Sequence, residues 1–158
     1  MIKIPLSGTF NYSDTFSPFN YTKVDENGNE SYEWDYCQID TDVYAAACSK
    51  ALDTYFAAVQ CIGEINSYPI YVQPKVEIWD DFSLSLEAET FICNKTKELK
   101  AHIFCPSWMM YFYNLYGEEE YKRLFDFIES YPIEDLHYLN VGIIEGKPVL
   151  VDYSGYYG

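Results

Sequence analysis

Aromatic side chains set the first limit on this chain: 17 Tyr, 10 Phe and 3 Trp fill 19% of its 158 positions. Each ring offers roughly 150–250 Å² for burial, so the chain must build a real core, with Tyr hydroxyls reaching its edge. The length suits one domain over residues 1–158, with little left for a second. Hydrophobic residues at 49% and charged residues at 22% exclude wholesale disorder.

Charge narrows the partners. Twenty-five acids against 10 bases give −15, which argues against direct contact with nucleic-acid phosphates or an anionic membrane. A basic partner protein remains open. No apolar run approaches the ~20 residues of a membrane span, and Met1–Ser7 lacks the apolar stretch of a secretion signal, so the expected location is the cytoplasm. Five cysteines, at 37, 48, 61, 93 and 105, form no C-x-x-C pair and have only His102 and His137 for company. Zinc ligation needs tighter clustering, so the cysteines read as reduced, partly buried thiols.

The layout predicts an α+β protein, with a small antiparallel sheet and packed helices. Ile2-Lys3-Ile4 reads as a short strand. Residues 7–40 read as an irregular insertion with a turn at Asp25–Asn29. Residues 41–76 read as a helix plus a hairpin. The helix spans Thr41 to Ala57, capped by Asp40 or Thr41, with an apolar stripe of Tyr44, Cys48, Ala51, Leu52, Tyr55, Phe56 and Val59. The hairpin pairs Val59–Ile65 with Tyr68–Val76; Pro69 and Pro74 put its second strand at an edge or end it early. Ser85 can cap a short Glu-rich helix. Residues 106–158 read as two helices, a loop and a hairpin. Pro106-Ser107 opens the first helix, Gly117 ends it, Glu118 starts the next and Pro132 stops that one. A polar loop then leads to Val141–Ile144, a Glu145-Gly146 turn and Pro148–Val151.

The loop and the hairpin's exit carry the chemistry. Asp135 and Asn140 lie five apart in one loop, and Asp152 follows a tight hairpin that folds it back beside them. Three oxygen-bearing side chains then converge. Phosphoryl transfer asks for such a set: a carboxylate to orient the attacking group, and an amide and a carboxylate for Mg²⁺.

Asp135-Leu136-His137-Tyr138-Leu139-Asn140-Val141 resembles the end of the kinase catalytic loop, whose Asp and Asn share this spacing. Val149-Leu150-Val151-Asp152-Tyr153 resembles the strand into the metal-binding Asp-Phe-Gly motif. The sequence is thus similar to the protein-kinase-like superfamily, which includes kinases of the aminoglycoside phosphotransferase type. The same run is also similar to the endings of small phage-encoded proteins. The resemblance implies a minimal protein-kinase-like fold that binds ATP with Mg²⁺. Asp135 would orient a hydroxyl, while Asn140 and Asp152 would hold the metal. Lys3 would meet the α/β-phosphates, and Tyr71-Val72-Gln73-Pro74 would be the hinge over adenine, with Tyr71 and Gln73 as cofactor-binding residues. The acid that pairs with Lys3 would be Glu33, Asp40 or Asp42.

There are departures from that pattern. Only two residues precede Lys3, leaving no glycine-rich loop. Glu134 stands where the family has Arg, and Ser154 separates Tyr153 from Gly155. Six residues follow Asp152, so the activation segment and the distal helical lobe would be missing. The functional expectation is a weak phosphotransferase or a pseudokinase. The alternative is a non-enzymatic acidic protein of the phage counter-defence type, which fills the basic groove of a nucleic-acid-handling enzyme. There, carboxylates would replace phosphates and Tyr rings would supply rigid contact area. His137 reads as a hydrogen-bonding loop residue, and His102 has no assigned role.

Overall fold

A computed structural model describes residues 2–3, 21–24, 27, 30–33, 36–65, 68–80, 82–131, 133 and 136–153. Among them the expected α+β architecture is present: three antiparallel sheets and three helical runs. The first sheet orders its strands β1-β5-β4, from β1 (Ile2–Lys3), β4 (Gln60–Ile65) and β5 (Tyr68–Val72). The second is a hairpin of β2 (Tyr21–Val24) and β3 (Glu30–Glu33), either side of a turn at Asn27. It lies inside the stretch predicted to be irregular. The third orders β6 (Glu77–Ile78), β7 (Val141–Ile144) and β8 (Lys147–Leu150).

Helix α1 covers Tyr36–Ser49, not Thr41–Ala57. Asp40 and Thr41 therefore sit within the helix and do not cap it. Its buried face is Ile39, Val43 and Ala47, spaced by four, while Cys48 and Ala51 of the expected stripe are exposed. The helix stops because Ala51 turns left-handed at φ 55. Leu52 N–H then reaches back to Ala47 C=O (2.9 Å), and Ala51 N–H to Cys48 C=O (3.1 Å). That pair of bonds satisfies the helix-end carbonyls in a Schellman closure. Leu52, Tyr55, Phe56 and Val59 are still buried, on a 3₁₀ turn at Asp53–Tyr55 and the chain that follows it.

Strand β5 is central, not an edge. Among the described residues β1 pairs with Tyr71 and Val72, beyond Pro69, so the proline's missing donor does not interrupt that pairing. β5 ends at Val72, two residues before Pro74, as a strand losing its donor should. Strand β6 was not foreseen; its two residues pair with Ile143 and Gly142.

Helix α2 (Leu86–Glu98) is capped as expected: Ser85 Oγ accepts the N–H of Ala88 at 3.2 Å. Helix α3 (Pro106–Ser130) breaks at Gly117, whose φ 85 and ψ 178 are not helical. The two predicted helices are thus its two halves. Trp108, Phe112, Tyr121 and Phe125 from α3 are completely or almost completely buried, and so are Tyr71 and Tyr153. The rings of Tyr121 and Phe125 lie 4.4 Å apart, and those of Trp108 and Phe112 5.6 Å. Hydroxyls find partners: Tyr55 donates to Glu120 at 2.7 Å at the core's edge, and Tyr121 shares a 2.7 Å bond with Thr96 inside it. Cys48 and Cys61 are exposed thiols, and Cys105 is buried. Among the described residues no helix is long and apolar enough to cross a membrane.

Candidate functional site

The predicted loop ends in a single 3₁₀ turn, Tyr138–Asn140. His137 shapes it. Its Nδ1 accepts the N–H of Leu139 at 3.2 Å, and its carbonyl accepts that of Asn140 at 2.9 Å. The turn delivers Asn140 to a buried position. Two bonds then tie it to the chain leaving β8: Val151 N–H donates to Asn140 C=O (2.9 Å), and Asn140 Nδ2 donates to the carbonyl of Asp152 (3.3 Å). The hairpin between them turns through Glu145 and Gly146, both at positive φ (50 and 76), the conformation that matches a right-handed strand twist. The first half of α3 supports it. Trp108 Nε1 donates to Gly142 C=O at 3.3 Å, and Tyr111 Oη to Gly146 C=O at 2.9 Å.

Asp152 is exposed and left-handed, with φ 48. Asp accepts that conformation better than a branched residue, at some cost in strain. The next residue, Tyr153, goes inward. Its ring meets Phe56 edge-on at 5.0 Å, and its hydroxyl donates to Ala57 C=O at 3.1 Å. Gln73 Nε2 donates to the same carbonyl at 3.3 Å. Ala57 N–H bonds Leu150 C=O at 2.8 Å, beside a parallel bridge between Phe56 and Leu150. One residue, through the two peptide units that flank it, thus joins the end of the first sheet's central strand to the exit of the third sheet.

Two of the predicted site residues are therefore neighbours, Asn140 and Asp152. Gln73 is linked to them through Ala57 and Tyr153. Tyr71 is buried, and Lys3 stands opposite it in the β1–β5 register. Asp135 and Glu134 lie outside the described residues, between buried Ile133 and buried Leu136. Of the acids considered as partners for Lys3, Glu33 is on β3, and Asp40 and Asp42 are on α1. Asp40 is buried, and its charge acts on Tyr153. Burial first, and then Asp40, holds that phenol far above its ordinary range. Sequence reasoning singled out neither Tyr153 as a clamp nor Ala57 as a joint. The first had a signal, an aromatic residue directly after the Asp that ends an apolar strand. The second had none, since any residue carries a carbonyl.

Asn140 carries an amide oxygen and Asp152 a carboxylate, oxygen types that hard cations accept; the bond that joins the two residues uses the Asn140 NH2 and the Asp152 main-chain carbonyl. No group of three or more His, Cys, Asp or Glu side chains forms a metal site by itself among the described residues. Comparison with models of protein families, with curated proteins and with solved structures finds no match to this chain.

Proposed function

We propose that this is a kinase-like protein with a Mg–nucleotide site, acting as a weak phosphotransferase or as a pseudokinase. The observation behind the reading is the hydrogen bond from the Asn140 side-chain NH2 to the Asp152 main-chain carbonyl, which sets the two residues side by side across 12 positions. A loop Asn and a strand-exit Asp brought together in this order would offer two oxygens to one cation. The strand order β1-β5-β4 supports it too, because it sets Lys3 beside Tyr71, one strand-end away from Gln73. The nucleotide's phosphates would lie between Lys3 and the Asn140/Asp152 pair, with its base toward residues 71–73. Asp135 would orient the accepting hydroxyl. A bound Mg²⁺ would supply charge neutralisation, which this chain needs: its net charge is −15, and Asp40 adds a buried carboxyl near Tyr153.

The test is thermal stability with ligand. Mg-ATP at 100 times its dissociation constant adds about 2.7 kcal/mol, a rise in Tm of roughly 5–10 °C for this size. Asp152→Asn should abolish the rise and leave the apo Tm close to that of the parent, because the side chain is exposed. A melting curve unmoved by millimolar Mg-ATP would remove the nucleotide site.

A further inference from the structure

Between Val76 and Asn94 the chain carries Glu77, Asp80, Asp81, Glu87 and Glu89, and no Lys or Arg. In the same stretch Ile78, Phe82 and Leu86 expose 76%, 52% and 80% of their surface. Single exposed apolar residues are ordinary, but one of these, Phe82, lines a cavity on a firm base. The Phe82 ring lies 5.7 Å from that of buried Trp79, whose indole N–H is fixed by Ser107 Oγ at 2.7 Å. Phe82, Leu84, Glu89, Pro106 and Ser107 line a cavity of about 220 Å³. Ser85 caps α2 at this point. Leu86 and Glu89, three apart in its first turns, therefore share a face. Glu77, Asp80, Glu87 and Glu89 are all exposed. The first base along α2, Lys95, is matched locally by Glu118 at 2.7 Å and Glu98 at 3.7 Å.

We infer that this face docks a basic segment of a partner protein, one that carries an apolar anchor between Lys or Arg residues. The anchor enters the cavity beside Phe82, and the flanking cations meet Glu89 on its rim and the exposed acids of the same stretch. Charge selects this occupant. An acidic segment is repelled, and a second copy of the chain would set one acidic rim against another across a twofold contact. The surface uses none of the residues of the proposed nucleotide site, so either can fail without the other.

Fluorescence anisotropy tests it with three labelled synthetic peptides: one with leucines among Lys and Arg, one of Lys alone at equal charge, and one with the same leucines among Glu. The first should bind about tenfold tighter than the second, as a buried anchor adds to charge, and the third should not bind. Phe82→Ser with Leu86→Ser should bring the first peptide down to the level of the second. Glu87→Lys with Glu89→Lys should slow its association severalfold at about 50 mM salt and much less at about 300 mM. Circular dichroism verifies that both variants fold; should the serine pair unfold, the lysine pair decides. Equal binding of the lysine-only peptide would overturn the inference, as would unchanged binding by the variants. So would a concentration-dependent dimer that the serine pair abolishes.

Discussion

Tyr153 shows how much one side chain can hold. Its hydroxyl shares the Ala57 carbonyl with Gln73, so Tyr153→Phe leaves that acceptor one donor and should cost about 1 kcal/mol at pH 7. The larger signature is alkaline. Burial holds the phenols of Tyr55, Tyr121 and Tyr153 well above their ordinary value. The unfolded chain loses these protons from about pH 10 upward while the folded chain keeps them. Stability is therefore full below pH 10 and falls above it, by about 1.36 kcal/mol per pH unit for each tyrosine. Urea unfolding between pH 9 and 11 should show this fall in the parent, and a fall shallower by one tyrosine's share in Tyr153→Phe. Equal slopes would mean that Tyr153 ionises as readily folded as unfolded. At this scale the chain was partly legible. Asp152 and Asn140 were readable as neighbours because a two-residue turn permits few alternatives. The burial of Asp40 beside Tyr153 was not, since that depends on where α1 begins.

The elements were most readable where local chemistry acts alone. Ser85, Pro106 and Gly117 marked helix boundaries through a side-chain oxygen, a fixed φ and a missing Cβ. The end of α1 was hidden because its left-handed closure falls on Ala51, without the usual glycine; α2 repeats this at Lys100, φ 58. Strand β6 was hidden for another reason. Two residues show no period, and their pairing is with β7, more than 60 positions away. That pairing leans on Gly142. A Cβ there would sit 2.5 Å from the carbonyl oxygen of Glu77 and would also collide with Val76. Backbone cannot give way as a side-chain tip does. Gly142→Ala should therefore push β6 from β7 and destabilise the fold by about 1–3 kcal/mol, the cost of overpacking. Hydrogen exchange should localise the damage to the amides of residues 77–79 and 141–143. A variant as stable as the parent would show β6 to be a loose appendage.

Across the whole molecule the excess of negative charge opposes compactness, whatever the protein binds. Raising sodium chloride from about 20 to 300 mM at pH 7 should raise Tm, as screening shortens the reach of that repulsion. Acid acts in two directions. Protonation lowers the net charge, but Glu120 is held below the usual carboxylate range by the Tyr55 hydroxyl and then Arg123, and Glu118 by Lys95. Their contributions are complete above the unfolded value near 4.5 and disappear as pH falls through the folded ones. A Tm profile should therefore rise on mild acidification and turn down below about pH 4. Continued rise to pH 3 would show those pairs to be without weight.

The joint at Ala57 also governs the order in which the molecule can be assembled. Its partner Tyr153 lies 96 positions along the chain, whereas the hairpin of β7 and β8 closes over two residues. Short closures cost little entropy and come first; a loop of this length adds a few kcal/mol before any contact returns it. The hairpin and the halves of α3 can form early, while the contacts of Ala57 that draw the two sheets together belong to the late steps. Until they close, Gln73 and Asp152 are tied only through the short β6–β7 pairing four residues beyond Gln73, so the fixed spacing of the proposed site depends on a late, long-range contact.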